Sequence, residues 1–94
     1  MKTKPIGYIV VWDDASGICN PMGWSSDCKG ALESHSGEVA VFDSRKDAQA
    51  AIRISVKCYE LRVAQGVSGS ELNSDFSPTY RKNAIILPLM GQKG

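Results

Sequence analysis

A chain of 94 residues supports one compact domain, spanning 1–94, with a single core and no room for a second. Eleven Lys and Arg against ten Asp and Glu leave a formal charge of +1 with the signs interspersed, which excludes wholesale attraction to nucleic acid or an anionic membrane and confines any nucleic-acid contact to a local patch. No apolar run approaches the roughly 20 residues of a membrane-crossing helix, and Met1-Lys2-Thr3-Lys4-Pro5 leads into a strand without a signal-peptide core, so a cytoplasmic protein with no membrane partner is expected.

Ile6 to Trp12 is rich in β-branched and aromatic residues and stops at Asp13-Asp14-Ala15-Ser16-Gly17, a turn-forming cluster. This is the first strand and a central one. Ile18 to Gly37 is rich in Gly and Ser, and reads as a long irregular loop or frayed hairpin with short extended pieces around Cys19 and Trp24. A loop of that length in so small a domain is uncommon without a function or a concealed strand. Glu38 to Phe42 is a second strand, with Val39 and Val41 on one face and Ala40 and Phe42 on the other.

The two-residue rhythm then gives way to a helical one. Ser44 can accept from the backbone N–H three residues on, where Asp47 also sets a carboxylate near the positive helix end. A helix from Arg45 can run without Gly or Pro to Gln65, and Gly66 can take the left-handed conformation that ends helices. About 21 residues make a rod of roughly 31 Å. Two apolar stripes lie on it: Ala48, Ile52, Val56, Tyr59 and Val63 form one, and Ala50, Ala51, Ile54, Cys58 and Leu61 form the other. Ser55 and Arg62 part the stripes, and Lys46, Arg53, Lys57 and Glu60 hold the remaining polar face. Only one stripe can lie on the sheet. The other must be covered by another protein, or by residues 67–83 folding back with Leu72, Phe76 and Tyr80.

Val67 to Asn83 carries the Ser, Gly, Asn and Pro of a surface connection, and Ala84 to Met90 is the last strand. Pro88 cannot donate to a ladder, so its nitrogen faces an edge or the strand stops there. Gly91 to Gly94 is a tail. The expected fold is α+β: a three- to four-stranded antiparallel sheet on one long helix, in β-β-α-β order.

Few residues point to chemistry. Cys19, Cys28 and Cys58 are odd in number and form no dense framework, so free thiols and no disulfide are expected. Zinc on Cys19, Cys28, His35 and Cys58 would need ligand pairs two to four residues apart, which the Cys-x8-Cys-x6-His spacing lacks. Cys28 with His35, oriented by Asp27 or Glu33, has no nucleophile elbow around it. Asp13-Asp14 before Ser-Gly is turn chemistry, and the glycines at 66 and 69 follow a helix instead of opening one and lack a P-loop lysine. The expectation is a protein without enzymatic activity, cofactor or metal.

Binding residues stand out more. Lys46, Arg53 and Lys57 align on the helix, Arg81-Lys82 sit beside Tyr80, and Lys2 and Lys4 open the chain, enough for a local nucleic-acid contact. Trp, Tyr and Arg are the residue types that dominate interface energies. The expected partner-binding groups are therefore Trp24, Lys46, Arg53, Lys57, Phe76 and Tyr80, with the second helix stripe, which could also join a homodimer.

In plan, the early strand with its ragged Gly/Trp loop, then Val39-Ala40-Val41-Phe42-Asp43-Ser44-Arg45-Lys46-Asp47-Ala48-Gln49-Ala50-Ala51-Ile52, then Ile85-Ile86-Leu87-Pro88-Leu89, resembles small accessory proteins of bacteriophages and mobile elements. That class includes anti-CRISPR proteins and other inhibitors of bacterial defence. The resemblance implies stoichiometric binding to a host protein or ribonucleoprotein complex, such as a CRISPR-Cas surveillance complex in the bacterial cytoplasm. It carries over no site residues.

Overall fold

The β-branched run near the start forms the strand on which the fold is built. The computed structural model describes residues 5–13, 19–25, 28–33, 38–68 and 74–90. In chain order these form β1 (Pro5–Asp13), β2 (Cys19–Pro21), β3 (Gly23–Trp24), β4 (Leu32–Glu33), α1 (Arg45–Ala64) and β5 (Ala84–Met90), with 3₁₀ turns at Ser74–Phe76 and Arg81–Asn83. β1 is central in an antiparallel sheet of order β2-β1-β5, and β3 pairs with β4 in a separate two-stranded ladder. The α+β class with one long helix holds. The single sheet in β-β-α-β order does not: four short or long strands precede the helix, split between two small sheets. β2, β3 and β4 are two or three residues each, too short for alternation to register in the sequence.

The expected Glu38–Phe42 strand is also corrected. Its alternation is as read, with Ala40 and Phe42 buried and Val39 and Val41 exposed, but only Phe42 pairs. Phe42 and Tyr8 exchange both backbone hydrogen bonds at 2.8 Å, while the next outward-facing group on that side of β1, the Val10 carbonyl, accepts from Met22 N–H at 2.8 Å. Met22 thus occupies the ladder positions a longer strand would need.

These bonds also explain Pro88. Tyr8 and Val10 direct their backbone groups away from β5, so their partners Pro88 and Ile86 form non-hydrogen-bonded pairs with β1 and face the sheet's outer edge. The proline nitrogen therefore lies where no ladder bond is lost, and the strand continues to Met90. Ala84 N–H is taken up by the Arg81 carbonyl. On the outward side, Pro88 has no donor and Ala84 N–H is already bonded, which thins the row of donors an added strand would need.

The helix begins and ends as its capping residues dictate. Ser44 is extended (φ −147°, ψ 161°), and its Oγ accepts from Asp47 N–H at 3.1 Å. At the other end Gly66 has φ +84°, Val67 N–H donates to the Arg62 carbonyl and Gly66 N–H to that of Val63, the paired bonds of a Schellman motif.

Between its ends, α1 does not choose one stripe. Its buried line is Ala48, Ala51 and Ser55, so the residue expected to part the two stripes lies at the centre of the contact. Ser55 Oγ donates to the Ala51 carbonyl at 2.7 Å and accepts from Leu32 N–H at 2.8 Å. A small side chain allows close approach, and its hydroxyl satisfies an amide that would otherwise enter the core without that acceptor. Ile52, Val56 and Tyr59 flank the line on one side and pack against the core partly buried. On the other side, the β3–β4 hairpin covers part of the second stripe.

A disulfide joins Cys28, in the hairpin turn, to Cys58 on the helix, overturning the expectation of free thiols. The odd count argues only against a fully paired set. The 30-residue separation hides a proximity that the Ser55–Leu32 contact creates in three dimensions. Val10, Met22, Leu32, Ala40, Phe42, Ala48, Ala51 and Phe76 form the buried cluster between sheet and helix.

Candidate docking surface

Three segments distant in sequence meet beside the second stripe. Trp24 from β3, Val41 from the segment before the helix and Ile54 from α1 are 43, 53 and 42% exposed, and with Phe42, Ala50 and Ala51 they line a groove of about 330 Å³. Gly30, in the hairpin turn, closes one side; it takes φ +84°, and its Cβ position is 3.5 Å from Ile54 Cδ1. Asp43 and Asp47 stand at the helix-N-terminal end of the groove. Trp24 is held edge-on to Phe42 with ring centroids 5.3 Å apart, so its position is set by a core residue while much of its surface remains open.

Lys46, Arg53 and Lys57 are all exposed. At about 100° per residue they occupy a strip about 40° wide, immediately next to Ala50, Ile54 and Leu61 on the helix circumference. The cationic row and the groove therefore adjoin. An apolar recess with an aromatic wall, a charged rim and no enclosing roof is suited to receiving a side chain of another macromolecule.

The other expected contacts separate from this surface. Phe76 is fully buried in the core cluster, a correction to its expected role; it pins the 3₁₀ turn to the sheet–helix interface. Tyr80 is exposed but packs near Trp12, with ring centroids 6.3 Å apart, and does not line the groove. A second hollow of about 390 Å³, lined by Tyr59, Glu60, Val63, Ala64 and Pro78, contains none of the expected contact residues. Val41 and Gly30 were not among the expected contacts; the outward alternation of Val39 and Val41 was the signal for the first, and nothing local marks the second.

Chemical sites gain nothing from the geometry. Cys28 and Cys58 are consumed in the disulfide, and among the described residues no group of three or more His, Cys, Asp or Glu could hold a metal. Lys2, Lys4, Asp14, Asp27, His35, Gly69, Leu72, the tail from Gly91 and the Cys19 side chain lie outside the described residues. Among the described residues no helix is long and apolar enough to cross a membrane.

Compared with protein-family models, curated proteins and solved structures, the chain matches none.

Proposed function

We propose that this is a non-enzymatic binding protein that covers a partner's surface, and that it is a phage-type inhibitor of a bacterial defence complex such as a CRISPR-Cas surveillance complex, acting in the bacterial cytoplasm. The observation that supports the reading best is the exposed Trp24–Val41–Ile54 groove flanked by the Lys46, Arg53 and Lys57 row. An exposed Trp anchored by the core loses little side-chain freedom on binding, and adjacent cations steer an acidic partner and fix its orientation. The plan-level resemblance to anti-defence proteins supplies the class of target.

The test is capture of purified surveillance complex by the tagged full chain, with Ile54→Asp and with the Lys46→Glu/Arg53→Glu/Lys57→Glu combination alongside. Stoichiometric capture, lost on the first change and weakened on the second, is expected. Retention of full affinity by both variants excludes this face. The exposed cationic row also favours a second reading, a local RNA or DNA contact, for which affinity must fall steeply as salt is raised.

A further inference from the structure

Every described residue that lines the docking groove is either apolar or acidic. Trp24, Val41, Phe42 and Ile54 are its large apolar members, Asp43 and Asp47 stand at one end, and among the described residues no Lys or Arg lines it. Ser44 Oγ, not a carboxylate, accepts from Asp47 N–H at the helix start. Arg45, the cation between the two acids in sequence, lies over the Tyr8 ring, 5.2 Å from its centroid. The groove is therefore an apolar trough ending at two exposed carboxylates, and the group that matches both features has a cationic head on an apolar stem. Outside the groove the sign reverses, because Lys46, Arg53 and Lys57 are exposed along the adjoining strip of α1.

We infer that the groove holds one arginine side chain of the partner protein, carried on a segment that is otherwise acidic. Its stem lies on Trp24 and Ile54, its guanidinium meets Asp43 and Asp47, and the flanking carboxylates meet Lys46, Arg53 and Lys57. The inference rests on the docking reading above and names the group that enters. Arginine fits better than lysine because its planar guanidinium stacks on an open indole and pairs with carboxylates through two parallel hydrogen bonds. A groove of about 330 Å³ is near the lower limit of ligand clefts, which suits a single side chain and not a helix. A purely apolar side chain would fill the trough but would take water from two carboxylates without replacing it, so the acidic end selects against it.

The test titrates three end-blocked peptides into the full chain, with a dithiol present as the proposed cytoplasmic setting requires. The first is Gly-Arg-Gly-Glu-Glu, the second has citrulline in place of arginine, and the third has leucine there. Citrulline keeps the stem and planar head and removes only the charge. Assigned Trp24 indole N–H and Ile54 δ1-methyl NMR signals report on the groove, and far-ultraviolet circular dichroism reports on the helix. The arginine peptide should move both signals and bind about threefold or more tightly than the other two, a preference that shrinks as salt is raised. Asp43→Asn/Asp47→Asn should abolish the preference while leaving the leucine peptide's affinity within about twofold. Asp43→Asn alone, outside the helix, should reduce the preference and serves if the double change disturbs α1. Equal affinities of the three peptides, or a preference that survives the Asn changes, overturn the arginine assignment and leave the docking reading standing. Movement of neither signal by any of the peptides overturns both.

Discussion

Ser55→Ala tests how the hairpin is seated on the helix. In the native protein Ser55 Oγ is the acceptor for Leu32 N–H at 2.8 Å, at a serine only 3% exposed. Removing it strips a buried amide of that bond, which costs about 1–3 kcal/mol. The Ala51 carbonyl loses only the extra bond from the hydroxyl, since a helical carbonyl retains its backbone donor. Alanine returns about 0.5 kcal/mol through its higher helix propensity. The net expectation is a loss of about 0.5–2.5 kcal/mol, or roughly 2–20 °C in midpoint for a domain of this size. Thermal unfolding of the oxidised protein, followed by circular dichroism, gives the midpoint shift, and hydrogen exchange gives the protection of the Leu32 amide. Gln49→Ala, on the exposed helix face, should stay within about 0.5 kcal/mol. Ser55→Ala with native stability and an undiminished Leu32 protection factor would refute the reasoning.

Phe76→Ala should destabilise by about 3–5 kcal/mol, because the ring is fully buried, whereas Tyr80→Ala should be near neutral; thermal melts of the two would exchange that order if the core assignment were wrong. Gly66→Ala forces a side chain into φ +84° and should cost about 1–2 kcal/mol by urea titration, with an unshifted midpoint counting against the helix-ending role. Pro88→Val restores an outward donor on the β5 edge and should produce concentration-dependent self-association in light scattering; a variant that stays monomeric at high concentration would remove Pro88 as the edge's guard.

The parts of the fold legible in the sequence are those settled by neighbours within a few residues. The caps at Ser44 and Gly66, the helix between them, the central β1 and the β5 limits all follow from local periodicity and backbone chemistry. The failures are places where a distant segment decides. Glu38–Phe42 has the alternation of a strand but finds most of the β1 edge occupied by Met22. Ser55 looks like a polar break between stripes until Leu32, 23 residues away, supplies a donor for it. Cys28 and Cys58 look unpaired until that same contact brings their segments together.

The docking surface divides along the same line. Aromatic residues serve cores and interfaces equally well, so residue type could not separate Trp24, which stands out from the Phe42 ring, from Phe76, which closes the core. Lysines and arginines at helical spacing have no comparable core alternative, and Lys46, Arg53 and Lys57 are accordingly exposed as expected. The groove between these two kinds of residue exists only because the hairpin is fastened over the second stripe. That stripe reads as surplus apolar surface for residues 67–83 or another protein to cover, yet the β3–β4 hairpin covers it partly and leaves Ile54 at the opening. Full coverage would have made the stripe ordinary core, and no coverage would have made it a flat face. This partial cover of the stripe, with Trp24 on one side and the cationic row on the other, gives the open recess on which the proposed docking rests, and on that proposal replacing Ile54 should affect binding far more than it affects stability.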